Sequence, residues 1–366
     1  MADGFLIMNL KLPNSHIEDD MLARLDSLGF QRANREGLDS AAFPDTFAPS
    51  AFHELVTQCA HDNRSASARW AGSDWAFRHI DLGKIGYSDS HLSSFKMLVF
   101  FQAASVMDAA QVRQKTVSMV VELLRNSLQI YPKELYVTYF SGHTDLPMEF
   151  ANARELPDLW KEVGVPEQNL IPIRGPANLT NIVRLQEPAG PRCEVFVRDR
   201  NGRLLEIATA VFECLIVNQI EPLAFGESKS VVCGAAFGLE RCEMIRQRLL
   251  NVFELPEFQA AVQLISEDLC RPLATLCPEQ INRIVDAVRS IMIIAGNTTL
   301  PLNRARMNRV RDLRKSILRA ATSLGYEDTP SLILRLVNTF AKSKTFGSPR
   351  IASAVFELFK RDGNII

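Results

Sequence analysis

The sequence predicts an α+β fold, with an antiparallel sheet whose last strand runs into a helix, followed by a segment built of helices only. Three observations predict it. Two strand-like runs, 193–197 and 204–215, flank Asp199-Arg200-Asn201-Gly202-Arg203, and Asn-Gly between apolar runs is a strong hairpin signal. A run of small residues, 231–237, leads into a helical pattern from Arg241 to Val252. Beyond residue 256 only helical periodicity remains, at 256–268, 278–295, 303–324, 330–342 and 349–360. Strands that precede a block of helices are the α+β arrangement.

The other elements follow in order. Ile17, Met21, Leu22, Leu25 and Leu28 have helical spacing and stop at Gly29. Arg69 to His79, Trp-rich and basic, suits a strand or loop. Asp108 to Ile130 is amphipathic, with Asp108 as a candidate N-cap and Val117, Val120, Val121, Leu124 and Leu128 on one face. Leu135 to Phe140 is a β-type run, and Glu149 to Gly164 reads as a helix with Pro166 beyond it. The composition shift near 250–256 divides the chain into domains at 1–252 and 256–366.

The chain has 366 residues and a net charge of −1, so attraction to nucleic acid must come from a local patch. Seven cysteines show no CxxC pair, and six histidines no HxxxH or HExxH pattern, which argues against a structural zinc site. The odd thiol count fits a reducing cytoplasm. Leu6 to Leu12 is interrupted by Asn9 and Lys11 and is too short to span a membrane.

The chemistry-bearing signal is Gly238-Leu239-Glu240-Arg241, an Arg at a strand-to-helix corner, where a helix N-terminus favours phosphate. Other stretches stand around it in a set order: Asp81 to Tyr87 (DLGKIGY), Ser88 to His91, Phe95 to Leu98 (FKML), Lys133 to Ile173, Gly190 to Phe196 (GPRCEVF), Leu205 to Phe212 (LEIATAVF) and Leu300 to Asn303 before a basic helix. From about residue 75 to 325 this series resembles the alanyl-tRNA synthetase family, whose motif 3 reads MGLER and whose motif 2 ends in FFEML. The resemblance implies a class II synthetase core, with an antiparallel sheet flanked by helices, followed by the family's all-helical tRNA-recognition domain. It implies ATP and Mg²⁺, an acyl-adenylate, and transfer to an acceptor. The family's editing and C-terminal modules have no counterpart here, which reads as a truncated paralogue with a specialised role.

The resemblance assigns roles residue by residue. Arg241 would cover the adenine and reach the γ-phosphate, or it pairs with Glu240 or Glu243 at a helix start. Phe95 would stack on the other adenine face, or it belongs to the core, and Met97 lies beside it. Arg78 is the α-phosphate candidate and Arg69 the other; without a gap the position falls on Asp74. Glu194 and Glu206 would hold Mg²⁺, or they sit on the exposed face of a hairpin. In the amino-acid pocket the family's Trp becomes Asn181, its Trp-Asn pair becomes Ala208 and Thr209, and the Asp that pairs with the substrate ammonium becomes Gly234. The family's motif 2 Glu becomes Lys96, a reversed charge beside the site. Ala208 and Gly234 make room for a larger acyl group, and Glu213 or Asp89 could be a relocated anchor. Between 301 and 320, Arg304, Arg306, Arg309, Arg311, Arg314, Lys315 and Arg319 face the single acid Asp312. This is a solvated face or, with Asn303, a surface for the tRNA acceptor stem.

Three readings stay open: an amino-acid-activating enzyme that charges tRNA, a biosynthetic ligase that passes the acid to a carrier protein or small amine, and a non-catalytic binding or regulatory module. Monomer and homodimer are both open.

Overall fold

The computed structural model describes residues 17–61, 68–142, 155–180, 184–221 and 224–342, with positions 351, 353–355 and 358 beyond them. Its centre is a sheet in the order β1-β2-β3-β9-β8-β7-β4-β5, with β6 (Pro188–Ala189) paired to the edge of β8. The strands are β1 (Gln31–Arg32), β2 (Arg69–Phe77), β3 (Ser94–Ala104), β4 (Tyr136–Phe140), β5 (Leu170–Ile173), β7 (Arg192–Arg198), β8 (Leu204–Gln219) and β9 (Ala224–Gly238). The central pairings are antiparallel, and the outer pairs β1–β2 and β4–β5 are parallel.

The hairpin forms where Asn-Gly predicts it. The Asp199 carboxylate accepts from the Asn201 and Arg203 backbone amides, and Gly202 takes a left-handed φ of 76°. β8 and β9 run longer than the periodicity suggests and form a second hairpin. One sheet face is covered by α1 (Ile17–Ser27), α3 (Ala109–Leu128), α4 (Leu156–Glu162) and α5 (Leu239–Arg246), which enclose Phe100, Ala208, Ala210, Phe212 and Phe237. The face away from α3 carries α2 (His53–His61), packed on Met97, Val99, Phe101 and Val232.

Two helices are shorter than expected. The one read over 149–164 spans Leu156–Glu162, with 143–154 outside the described residues. The one read over 241–252 ends at Arg246, and a left-handed Arg248 (φ 56°) turns the chain into a short 3₁₀ segment at Val252–Glu254. The remaining helices are α6 (Pro256–Asp268), α7 (Pro278–Asn297), α8 (Arg304–Leu324) and α9 (Thr329–Ala341). The helix expected at 349–360 falls largely outside the described residues, though Val355 and Leu358 are buried in the same cluster.

Packing is continuous across 252–256. Phe253, Leu255 and Phe258 share a cluster with Trp75, Phe77, Leu205 and Met244. Arg289 of α7, 1% exposed, crosses the junction. It donates to the Ser94 carbonyl (2.7 Å), Glu240 (2.6 Å) and Glu257 (3.0 Å), and its guanidinium lies over Trp75 and Phe258. Next to it Asp286 accepts from the Ser93 amide and hydroxyl. A buried charge survives only when paired and hydrogen-bonded in this way.

Candidate active site

The site forms where β8 and β7 meet the start of α5. Glu194 pairs with Thr209 and Phe196 with Glu206, leaving Ile207 as one extra residue on β8. Simple alternation would send Glu206 to the helix-covered side. The bulge turns its side chain to the α2 side, with Glu194 and Thr209, as bulges do when they re-aim a strand residue. There Glu206 meets Arg241, two residues into α5. Arg241 Nη1 donates to Glu206 Oε2 and to the Glu206 carbonyl, each at 3.2 Å, and Nε donates to the Ser90 carbonyl at 3.1 Å. Thr209 Oγ1 donates to the other carboxylate oxygen of Glu206 at 3.0 Å. Arg241 thus pairs with Glu206, and not with Glu240 or Glu243. Glu240 is buried under Arg289 and accepts the Lys96 amide.

Arg78, just past β2, brings its guanidinium carbon to 5.6 Å from the centre of the Phe95 ring. Burial lowers its pKa, opposed by Glu206 and Asp81 and reinforced by Arg241 and Arg192; a guanidinium keeps its charge through such a shift. Arg78, Arg192, Arg241, Glu194 and Glu206 therefore share one electrostatic field. Phe95 is partly exposed, while Met97, two residues along the same strand face, is buried among Val99 and Phe101. The other candidates lie elsewhere. Arg69 is at the far end of β2 and reaches the Leu28 carbonyl. Asp74 is buried and gathers Arg35 and the amides of Glu36, Gly37 and Trp75.

His91 joins the cluster without having been singled out in the sequence. Its Nδ1 is 2.6 Å from Ser88 Oγ, and burial, then Arg241 and Lys84, lower its pKa. Arg192 was missed too; it pairs with Glu194 at 3.0 Å. The signal was present in both cases, as His91 and Arg192 lie inside quoted motifs.

Two carboxylates on neighbouring strands, on one face and beside three guanidiniums, fit a Mg²⁺ held partly by phosphate oxygens. Burial raises the pKa of Glu194, with Arg192 opposing and Glu206 reinforcing, and a divalent cation would relieve that repulsion. Among the described residues no group of three or more His, Cys, Asp or Glu side chains could hold a metal alone.

The pocket differs from expectation. Asn181 lies outside the described residues. Ala208 does not line the site face; its side chain packs with Phe237 in the helix-covered core, and Thr209 takes the open side. Gly234 makes no room either: an added Cβ would lie 2.3 Å from the Phe100 carbonyl oxygen and 2.6 Å from Phe101 Cβ. Lys96 is not beside the site, because neighbouring residues of β3 point to opposite faces. Its ammonium pairs with Glu18 at 2.6 Å. Asp89 is tied to Arg203 (2.5 Å) and Asn251 (3.1 Å). Glu213 remains on the α2 side of β8, buried.

The basic helix also differs. Asn303 is the N-cap of α8: its Oδ1 accepts the Arg306 amide and its Nδ2 donates to the Pro44 carbonyl, both at 2.8 Å. Arg306 points inward, bonded to Asp39 and to the carbonyls of Ser40, Phe43 and Thr46. Arg314 is buried. Arg309 reaches back to His79, beside Arg78, at 3.1 Å. Arg304, Lys315 and Arg319 are exposed.

Comparison with known proteins bears on this arrangement. The family described as tRNA synthetases class II (A) matches residues 63–346. The alanine–tRNA ligase of Shewanella amazonensis is 24% identical over 273 residues, covering 69% of this chain and 29% of that protein. That of Idiomarina loihiensis is 24% identical over 294 residues, covering 75% and 31%. The chain thus spans about three tenths of the length of these curated relatives. Among solved structures, the RNA-binding domain of threonyl-tRNA synthetase from Cryptosporidium parvum Iowa II aligns at TM-score 0.42 and 10% identity, covering 66% of each chain. Pyrrolysyl-tRNA synthetase from Desulfitobacterium hafniense aligns at TM-score 0.37 and 15% identity, covering 66% and 71%.

Proposed function

The chain belongs to the class II (A) tRNA synthetase family, and on that premise we propose that it activates an amino acid or related carboxylic acid with ATP, as an acyl-adenylate. A carboxylate oxygen of the acid attacks the α-phosphorus of ATP, the bond to the bridging oxygen breaks, and pyrophosphate leaves with its electron pair. No protein nucleophile is needed, so catalysis is positioning and charge neutralisation. Phe95 and Arg241 sandwich the adenine, Arg241 also reaching the γ-phosphate, and Arg78 neutralises the α-phosphate. Glu194 and Glu206 would hold Mg²⁺, which would supply charge neutralisation to the phosphates. The observation that carries the reading is the convergence of Arg78, Phe95, Glu206 and Arg241 at one strand-to-helix corner. The catalytic part is assigned to 1–252 and acceptor recognition to 256–366, in the cytoplasm.

The acceptor is then the 3′ end of a tRNA, approached over the exposed Arg304, Lys315 and Arg319. A second acceptor class, a carrier protein or small amine, is favoured by one observation: Asn303, Arg306 and Arg314 are engaged within the protein and so withdrawn from an RNA face. ATP–pyrophosphate exchange over proteinogenic, non-proteinogenic and des-amino acids tests the activation step. We expect exchange with a narrow set of acids, reduced at least about 100-fold in Arg241→Ala. Failure with every acid, with and without tRNA, would leave only the non-catalytic reading.

A further inference from the structure

The segment between β2 and β3, which begins with Arg78, is tied to the helical region at several points. Arg283 of α7 donates to the Ile85 carbonyl at 3.1 Å, and its guanidinium lies 4.8 Å from the centre of the Tyr87 ring. Gly86, at φ 88°, packs so closely on α7 that an added Cβ would lie 2.6 Å from the Glu279 carbonyl oxygen. Ser93 donates its amide and its hydroxyl to Asp286. In these ties donor and acceptor are fixed. His79 is different. Its Nε2 lies 3.1 Å from Arg309 Nη1 and 3.2 Å from Asp312 Oδ2, both on α8.

A guanidinium only donates and a carboxylate only accepts, so one ring nitrogen serves one of them at a time. With the ring proton on Nδ1, Nε2 accepts from Arg309, and Asp312 keeps Arg309 as an ion partner at 3.9 Å. With the proton on Nε2, the ring donates to Asp312 and Arg309 loses an acceptor. Arg309 Nε is already buried with no partner among the described residues, so a second idle donor there is costly. The first arrangement is therefore favoured. Arg78 is the residue just before this ring. Its amide donates to the Ser93 carbonyl at 2.8 Å, and its carbonyl accepts the Asp81 amide at 3.1 Å. Its side chain is held more loosely: Nε reaches the Pro49 carbonyl at 3.4 Å, and the guanidinium rests over Phe95. The His79 ring is thus the side-chain anchor next along the chain from Arg78.

We infer that His79, held by Arg309 of α8, is a positioning residue that sets Arg78 for the α-phosphate of ATP. This rests on the adenylation reading. Arg309 then serves the nucleotide end of the site rather than an acceptor face, and α8 acts on Arg78 through a single imidazole ring.

The probes are adenosine, AMP and Mg-ATP, which differ in whether an α-phosphate is present. Their affinities for the full chain are measured by calorimetry in the wild type, His79→Ala, His79→Gln, Arg309→Met and Arg78→Ala, with the melting temperature as the check on folding. We expect His79→Ala and Arg309→Met to weaken AMP and Mg-ATP by at least about fivefold while adenosine stays within about twofold. His79→Gln should keep wild-type affinity, since its side-chain carbonyl accepts from Arg309 and its NH₂ donates to Asp312. In an Arg78→Ala background, His79→Ala should add no further loss, because the two act on one phosphate. Ring ¹⁵N spectra of the wild type should show the His79 proton on Nδ1. Equal losses for adenosine and AMP, undiminished AMP binding in both variants, losses that add to that of Arg78→Ala, or a ring proton on Nε2 would overturn the positioning role. An α-phosphate-selective loss in a protein that shows no exchange with any acid would support His79 and contradict adenylation. A wild type that binds none of the three nucleotides would overturn both.

Discussion

Glu206 shows how one residue can decide a site. Its place beside Arg241 depends on the single extra residue Ile207 in the β7–β8 ladder. Its sequence position among alternating residues would put it on the wrong side. Replacing Glu206 with Gln keeps the Thr209 contact but removes the charge that pairs with Arg241 and that, on the proposed adenylation, would also hold Mg²⁺. The expected outcome is a rise in the Mg²⁺ concentration needed for half-maximal exchange, by about tenfold, with the fold intact by circular dichroism. Glu213 makes a separate prediction about pH. Its pKa is raised on folding from 4.5 to about 8, so the native state holds a proton that the unfolded chain has lost. Its contribution is present below pH 4.5 and is lost as pH rises through about 8. The melting temperature of the wild type should therefore fall relative to Glu213→Gln between pH 5 and pH 8.5. Equal pH profiles for the two proteins would show that Glu213 is ionised throughout. Arg241 and Phe95 were legible as candidates because each sits in a short contiguous motif, whereas Arg78 lies outside the quoted motifs and was reached only by allowing a gap. The sides taken by Ala208 and Lys96 were not, since strand parity is fixed by registers and bulges that arise only when strands pair.

At the scale of elements, α8 separates what its sequence merges. The apolar stripe Met307, Val310, Leu313 and Ile317 predicts which side is buried, and all four are buried. It does not say that Arg306, next to that stripe, would bend back to grip residues 39–46. A long Arg can lay its stem on apolar surface and send its head to either side. Two outcomes follow. Arg306→Ala should lower stability by about 1–3 kcal/mol in chemical denaturation, since it removes the cation paired with Asp39 and the side-chain donor to the Thr46 carbonyl, while the Ser40 and Phe43 carbonyls keep backbone amide donors. Glu substitution of Arg304, Lys315 and Arg319 should leave the melting temperature within a few degrees. If tRNA is the acceptor, the same change should weaken tRNA binding strongly and reduce its salt dependence. Unchanged RNA affinity would move the acceptor to a carrier protein or small amine. Helix positions and the Asn-Gly hairpin were readable from local periodicity. The lengths of β8 and β9 were not, because Val217 and Ala224–Gly226 gain their strand character from pairing with one another across the second hairpin.

For the whole molecule, the helical region and the sheet share one core, joined by Arg289, Glu240, Glu257 and the Ser93–Asp286 pair. Glu240 directly precedes Arg241, so the junction also fixes the helix that carries Arg241. Arg289→Ala should cost about 3–5 kcal/mol of stability, the usual cost of orphaning a buried partner, and should weaken ATP binding in whatever fraction stays folded. Separate melting of the two regions in the wild type would contradict that shared core. The composition change near residue 256 was visible in the sequence, but the packing across it depends on contacts between residues far apart in the chain. The central claim is that a substrate carboxylate oxygen becomes bonded to the α-phosphorus of ATP. It is tested most directly by running the complete reaction with an acid labelled with ¹⁸O in its carboxylate and weighing the AMP released. The account predicts one ¹⁸O atom in AMP, lost together with exchange in Arg241→Ala. AMP without label, or label recovered in inorganic phosphate, would contradict it.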